Sequence, residues 1–276
     1  MTVVALLACL TSVACSTLFD LSKLGPDPGA APDSPPSAPI VSDAGSRDAD
    51  SDAAELEEDS SAPCPAGSGA PMKRIGVYCI DTTEVTSGRY QAFLATTDAG
   101  ATTAAAPAAC AADLDRVPTE NWPPRPEWKQ LAVTDVSWCD AHAYCAHTGR
   151  RLCGRRGGSS LVPGDSTNAA TSEWYRACSK AGTKKLPYGD EPIVGECSTT
   201  NELRVVGEKC EGGYVGIFDM VGNAEEWVEA CAGMAGVDMC MAQGGSALDR
   251  RADCTTAKAY GRHVKRPLVG FRCCAD

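Results

Sequence analysis

Residues 216–227 read Gly-Ile-Phe-Asp-Met-Val-Gly-Asn-Ala-Glu-Glu-Trp and place carboxylates, glycines and an indole within one short segment. Asp219 and Glu226 offer charged oxygens, and Gly222 and Ala224 leave backbone carbonyls uncrowded, a set that suits a hard cation such as calcium. The final tryptophan would anchor the segment in the core. The alternative interpretation of the same spacing is a Gly-Asn turn without a metal, between a strand and a tryptophan-anchored segment.

The composition predicts one folded domain behind an acidic linker. The 276 residues, 43% of them hydrophobic, suffice for one sizeable core. Residues 25–63 contain ten Asp or Glu against the single Arg47, a net charge of −9 within the −11 of the whole chain. Because the remainder is nearly neutral, nothing in the folded part indicates a nucleic-acid partner.

The cysteines indicate an oxidising compartment. Sixteen are present, and none form a zinc-type CxxC pair. If Cys9 and Cys15 belong to an export signal, fourteen remain, an even number that fits a disulfide framework. Its connectivity cannot be read from the sequence.

The amino-terminal residues predict export. Residues 1–15 are short and apolar and resemble a signal peptide. Val13-Ala14-Cys15 resembles the processing site of a bacterial lipoprotein, in which Cys15 would be lipidated; an ordinary cleaved signal after Ala14 is the alternative. Residues 16–63, rich in Ala, Pro, Ser and Asp, are expected to form a disordered linker. The expected location is therefore the bacterial cell envelope, in the periplasm or at the outer membrane through a lipid anchor, or otherwise outside the cell by secretion.

The domain itself is expected to span residues 64–276. Residues 75–81 alternate like a strand, Thr86 and Ser137 are candidate helix N-caps, and residues 172–178 predict a third helix. The Gly-, Ser- and Arg-rich stretch 154–170 predicts an exposed loop. Short strands, modest helices and long connections predict an α+β domain with little regular structure.

Four motifs together resemble the formylglycine-generating-enzyme, or sulfatase-modifying-factor, family. They are residues 216–227, Gly244-Gly245-Ser246, Gly270-Phe271-Arg272-Cys273 and the opening stretch 78–94. The resemblance covers roughly residues 64–276. It implies a disulfide-rich C-type-lectin-like fold of the formylglycine-generating-enzyme type, with the opening strand near the closing one.

The resemblance also implies metal sites. In that family a run similar to residues 219–227 binds a structural calcium, which here assigns Asp219, Glu226 and the carbonyls of Gly222 and Ala224 as ligands. Asn201 resembles the residue that begins a second calcium site, although the stretch that follows it is shorter than in catalytic members.

Catalytic members of the family hold copper(I) between two thiolates, a choice that suits this soft ion. Their first cysteine lies ten residues after the first glycine of Gly-Gly-Ser, and the second follows five residues later. Counting from Gly244 gives Cys254 and Ala259. One thiolate cannot form a two-sulfur site, so copper-dependent formylglycine formation is not expected; Cys254 is then either a doubtful catalytic residue or half of a disulfide.

Two functions remain open. The first is a non-catalytic binding or scaffold module that recognises a protein or a glycan. The second is a formylglycine-generating-type oxidoreductase, or another protein-modifying enzyme, that works through Cys254. Ala259 favours the first. The family's packing of neighbouring elements also implies a disulfide between Cys153 and Cys178.

Overall fold

The structure is a computed structural model that describes residues 62–96, 107–111, 113, 115–197, 199, 201–233 and 238–276. The predicted export signal, Cys15 and nearly all of the predicted linker lie outside these residues. Within the part that is described, no helix has the length and hydropathy that a membrane crossing requires.

Short elements joined by long connections make up the domain. In the part of the chain that the structure describes, the α-helices are α1 (Ser87–Thr96), α2 (Trp138–His147) and α3 (Glu173–Ser179). The strands among these described residues are β1 (Met72–Ile75), β2 (Tyr78–Asp81), β3 (Arg151–Leu152), β4 (Glu225–Ala232), β5 (Met239–Gln243), β6 (Ala257–Gly261), β7 (Val269–Phe271) and β8 (Cys273–Ala275).

The strands form two four-stranded sheets. The first has the order β1-β2-β8-β3 and is antiparallel throughout. The second has the order β6-β5-β4-β7, in which β4 and β7 are parallel. Ile80 pairs with Cys274, so the opening strands lie beside the closing strand. The predicted α+β fold is confirmed.

Local signals fix where the helices begin. The Ser137 side chain accepts from the backbone N–H of Asp140, and the Asp140 carboxylate accepts from the backbone N–H of Ser137, which together form a capping box for α2. The Thr86 hydroxyl accepts from the backbone N–H of Arg89 at 3.3 Å at the start of α1. The predicted caps at Ser137 and Thr86 are confirmed.

Two hydrophobic clusters form the core. One surrounds Trp174, and its largest members also include Tyr78, Ile80, Ile217 and Met220. The other combines α1, α2 and the second sheet, and its largest members are Tyr90, Trp138, Tyr144, Trp227 and Phe271. The residues 219–227 therefore lie between the two cores, because Met220 belongs to the first and Trp227 to the second.

All fourteen cysteines from Cys64 onward form disulfides within the described residues, which confirms the predicted framework. The pairs are Cys64–Cys79, Cys110–Cys139, Cys145–Cys273, Cys153–Cys274, Cys178–Cys254, Cys197–Cys210 and Cys231–Cys240.

The prediction of a Cys153–Cys178 disulfide is wrong. Arg151 and Leu152 pair with Cys274 and Cys273 in the first sheet, so β3 runs beside the closing strand, and the Cys153 that follows β3 is joined to Cys274. Cys178, near the end of α3, is joined instead to Cys254. No disulfide between Cys153 and Cys178 therefore links the segments on the two sides of the inserted stretch 154–170.

Candidate functional site

Residues 219–227 form a buried turn that leads into β4. Asp219, Gly222 and Asn223 have φ angles of 57°, 77° and 54°, so the chain winds through the left-handed region several times within the turn. Gly222 donates its N–H to the carbonyl of Gly244 at 3.1 Å. A Cβ atom on Gly244 would lie 2.6 Å from a backbone carbonyl of the turn, so glycine at that position permits the close approach.

The end of the turn is fixed in the core by an indole. Trp227 is fully buried, and its Nε1 donates to the carbonyl of Val136 at 3.0 Å. The turn is therefore tied to the chain just before α2.

The Glu226 carboxylate lies at the centre of a buried ion pair. Arg272 donates from Nε to Glu226 Oε2 and from Nη2 to Glu226 Oε1, both at 2.7 Å. The indole of Trp174 donates to Glu226 Oε2 at 2.7 Å. Arg272 also donates to the carbonyls of Asp81 and Phe218, so one guanidinium connects the closing strand, the opening strand and the turn.

Two further carboxylates crowd around this pair. Glu84, Asp219 and Glu226 are 0%, 2% and 1% exposed. Burial, and then the carboxylates of Asp219 and Glu226, raise the pKa of Glu84 well above its ordinary value. Burial likewise raises the pKa of Asp219 to about 6, although the N–H of Gly207 donates to Asp219 Oδ2 at 2.6 Å. When all three carboxylates are ionised, their negative charges exceed the single positive charge of Arg272 by two.

One oxygen in this cluster has no partner. Asn223 donates to Glu84 Oε1 at 2.9 Å, whereas the buried Glu84 Oε2 has no hydrogen bond. Unpartnered buried carboxylate oxygens are costly, so the cluster suits a proton or a cation.

The predicted ligands fit calcium by chemistry. Asp219, Glu226 and the carbonyls of Gly222 and Ala224 supply oxygen atoms, which calcium prefers, and they occupy one turn with excess negative charge. A carboxylate has about four acceptor positions, and three N–H groups occupy positions on Glu226, so about one remains for an ion there. Asp219 is therefore the stronger candidate ligand of the two.

The other predicted and possible ligands lie elsewhere. Asn201 has a φ angle of 75°, is exposed and donates its N–H to the carbonyl of Ala247 at 2.9 Å. Within the described ranges, one group of potential metal-binding side chains converges, consisting of Asp113, Cys139 and His263. Its sulfur belongs to the disulfide with Cys110, so it offers no thiolate.

Cys254 is not available as a nucleophile. It is fully buried and joined to Cys178 by an S–S bond of 2.04 Å, and its N–H donates to the carbonyl of Lys185 at 2.9 Å. Ala259, at the expected position of a second thiolate, lies on β6 opposite Met241. The structure thus assigns Cys254 to the disulfide alternative.

A family model described as "Sulfatase-modifying factor enzyme 1-like domain" matches residues 26–276 of the chain. The chain belongs to the sulfatase-modifying-factor family. The match begins within the predicted linker, upstream of the expected domain start at Cys64.

Two relatives are 27% and 26% identical to this sulfatase-modifying-factor-like chain. Both are named "Inactive C-alpha-formylglycine-generating enzyme 2", from Mus musculus over 170 residues and from Bos taurus over 167 residues. These alignments cover 53% and 52% of this chain and 50% of each relative. The chain thus spans about half the length of the curated relatives it matches.

A solved structure has the same fold. PvdO from Pseudomonas aeruginosa is 16% identical, with a TM-score of 0.51, and the match covers 78% of this chain and 92% of that chain.

The sulfatase-modifying-factor-like domain has a cavity of about 630 Å³ beside the Cys178–Cys254 disulfide. Leu186, Ile193, Val194 and Val221 contribute apolar surface to its lining. Polar lining comes from other side chains, including Lys185, Asp190, Asn201, Arg250, Arg251 and Asp253. The segment just before Cys254, residues 250–253, and residues on both sides of Cys197 therefore contribute to the walls of this space.

The two carboxylates of this cavity already have internal donors. Asp190 Oδ1 accepts from the N–H of Lys185, and Asp253 Oδ1 accepts from the N–H and hydroxyl of Thr255. Arg250 and Arg251 are exposed and have no hydrogen bond or ion pair with another described residue. The cavity therefore presents apolar walls with unpaired positive charge at its edge.

Three members of the buried turn's cluster were not predicted as site residues. Glu84 and Arg272 lie far from residues 219–227 in the sequence, and Trp174 lies on α3. Glu84 follows the opening strand, and Arg272 immediately precedes the closing one. The predicted proximity of those strands was the available signal for placing both near the turn.

Proposed function

We propose that this chain is an exported binding module built on the sulfatase-modifying-factor fold and does not act as a copper oxidase. The observation that supports this most directly is the state of Cys254. Its sulfur is joined to Cys178, and Ala259 stands where the second thiolate would be needed. Two relatives that share about half their length with this chain carry the word "inactive" in their names.

The binding surface in this proposal is the 630 Å³ cavity beside the disulfide. Its volume lies within the range of about 300–1,000 Å³ that ligand pockets have. Val194 is fully exposed and Ile193 is 58% exposed, so apolar surface is available at the opening. With Arg250 and Arg251 unpaired, the chemistry favours a protein segment with apolar and acidic side chains.

Calcium would act as a structural ion in this function. The excess of carboxylates around Arg272 and the orphaned oxygen of Glu84 support it. An ion held by Asp219 and its neighbours would neutralise charge in the turn between the two cores. No step of ligand binding requires it.

The proposed location is the cell envelope, with lipidated Cys15 as the anchor and residues 16–63 as the spacer. Seven disulfides in one domain support a compartment that is oxidising.

A peptide-binding measurement tests the binding proposal. A fluorescein-labelled octapeptide of alternating leucine and glutamate is titrated with the disulfide-intact protein and followed by fluorescence polarisation. We expect Arg251→Glu to weaken its binding about tenfold, the effect of losing a charge-assisted contact. Lys209→Glu, an exposed change outside the cavity lining, is the matched control.

A second arm tests catalysis. The protein is incubated with copper(I), oxygen and a sulfatase-type cysteine peptide, and the product is analysed by mass spectrometry. We expect no formylglycine, while a catalytic family member treated in parallel forms it. Equal binding of a leucine–lysine octapeptide, or formylglycine formation, would contradict the proposed function.

A further inference from the structure

A second cavity, here called the α1–α2 cavity, lies between helices α1 and α2. Its volume is about 360 Å³, and its lining includes Ala92, Phe93 and Thr96 of α1, Tyr144 and His147 of α2, and Lys129. None of its described lining residues also lines the cavity beside the Cys178–Cys254 disulfide. It is therefore a separate candidate site, and its volume suits a small molecule.

The α1–α2 cavity has a positive lining in an acidic protein. Arg89 and Lys129 both line it, and no carboxylate occurs among its described lining residues. The whole chain carries a formal net charge of −11, so this grouping does not follow from the overall composition. A concave surface with one sign of charge attracts ligands of the opposite sign.

The cations of this cavity have no internal partners. The half-buried Arg89 guanidinium and the Lys129 ammonium make no hydrogen bond or ion pair with another residue in the described ranges. Burial raises the pKa of Asp81, and the nearby Arg89 is one of the charges that counteract this rise. The Asp81 carboxylate, however, already accepts from Arg150 and from the N–H of Cys273, so it does not neutralise Arg89.

Two of the hydroxyl groups in the lining, those of Thr96 and Thr148, are already committed. Thr96 donates to the carbonyl of Phe93, and Thr148 donates to the carbonyl of Cys145, both at 2.9 Å. Each hydroxyl has a single hydrogen, so neither has one left for a ligand. The free donors in the cavity therefore include those of Arg89 and Lys129.

The same cavity has an aromatic wall. The rings of Phe93 and Tyr144 are 5.5 Å apart in a T-shaped arrangement, and both side chains line the cavity. Tyr144 also packs on Tyr90 and Phe271 in the second core, which holds this wall in place. An apolar portion of a ligand would find a rigid surface beside the two cations.

We infer that the α1–α2 cavity binds a small organic ligand that combines one oxyanion group with an apolar ring or chain. The oxyanion contacts Arg89 and Lys129, and the apolar part packs on Phe93 and Tyr144. The oxyanion is a carboxylate, a sulfate or a phosphate, which share the chemistry that these cations recognise.

Isothermal titration calorimetry of the disulfide-intact protein tests this inference. Phenyl phosphate, phenyl sulfate and benzoate are the probes, and their order of affinity identifies the preferred oxyanion. Benzyl alcohol lacks the charge and inorganic phosphate lacks the ring, so both should bind at least about tenfold more weakly than the best probe. Equal binding of benzyl alcohol would overturn the inference.

Variants separate this site from the one proposed for peptides. Arg89→Gln and Lys129→Gln should each weaken the best probe about tenfold, whereas Arg251→Gln should leave it unchanged. Lys129 is exposed, so its variant tests the site even if the Arg89 variant folds poorly. Ala92→Phe fills the cavity from an exposed helix position and should abolish binding without removing a charge.

Absence of binding by all three probes would overturn the inference. So would binding that persists unchanged in Lys129→Gln and Ala92→Phe. Loss of phenyl-probe binding in these variants, with the urea unfolding midpoint unchanged, would support the α1–α2 cavity whatever the fate of the peptide-binding proposal.

Discussion

Replacing Arg272 by methionine should destabilise the domain severely. The side chain is fully buried and makes two hydrogen bonds to Glu226 and one each to the carbonyls of Asp81 and Phe218. Methionine keeps much of the volume but leaves Glu226 charged beside Asp219. Removal of one partner from a buried ion pair costs about 3–5 kcal/mol, so we expect a loss of about 4 kcal/mol.

That loss is a large share of the ~5–15 kcal/mol that stabilises a typical protein. Urea unfolding with the disulfides intact measures it; with a slope of about 2 kcal/mol/M, the midpoint should fall by about 2 M. The double variant Glu226→Gln, Arg272→Met should be more stable than the sum of the two single changes predicts, by at least about 1 kcal/mol.

Arg250→Met is the matched control, since Arg250 is exposed and unpaired, and it should change stability by less than about 0.5 kcal/mol. A loss below about 1 kcal/mol for Arg272→Met, or strict additivity in the double variant, would refute the view that this ion pair organises the turn.

The remaining predictions concern calcium, anchoring and pH. Calcium at a hundred times its dissociation constant should raise the free energy of unfolding of the parent by about 2.7 kcal/mol, and a chelator should reverse this gain. Asp219→Ala should lose the response, and a parent whose unfolding midpoint ignores calcium would exclude a structural ion. Palmitate should label the parent but not Cys15→Ser, and equal labelling would rule out the anchor. Burial raises the pKa of Asp140 to about 6. The folded state therefore binds this proton more tightly than the unfolded state, and stability should fall as pH rises from about 4 to 6. Asp140→Asn should flatten that slope in urea unfolding, and an unchanged slope would assign it to other groups.

Features encoded by neighbouring residues were predictable from the sequence. The capping box at Ser137 is such a feature, because its partner Asp140 is three residues away. The even number of cysteines in the domain also indicated a disulfide framework, because this inference needs only a count and not the identity of the bonded partners. Family motifs supplied the fold itself, including the meeting of the opening and closing strands.

Features that depend on register and distant contacts were not predictable. Cys153 was assigned the wrong partner because β3 has two residues, too few to reveal its pairing with β8. The stretch 154–170 was expected to be an exposed loop, yet Leu161 is buried and its N–H donates to the carbonyl of Glu229. One apolar side chain in a polar stretch does not show which surface it will contact.

The same limit applies to the buried turn. Its oxygen-rich sequence indicated an ion, but the sequence did not show that Arg272 would bind both oxygens of Glu226 or that Glu84 would add a third carboxylate. Such clusters arise from the meeting of strands that are distant in the chain, and their balance of charge is visible only once the fold is known.

Cys254 is joined to Cys178 in a disulfide, which leaves no free thiolate at this position for a two-sulfur copper site. A disulfide map tests it most directly. The unreduced protein is alkylated, digested and analysed by mass spectrometry, with Cys178→Ser as the control in which Cys254 should become alkylated. We predict a linked peptide pair containing Cys178 and Cys254 and no alkylation of Cys254 in the parent. Alkylated Cys254 in the folded, unreduced parent would contradict the account.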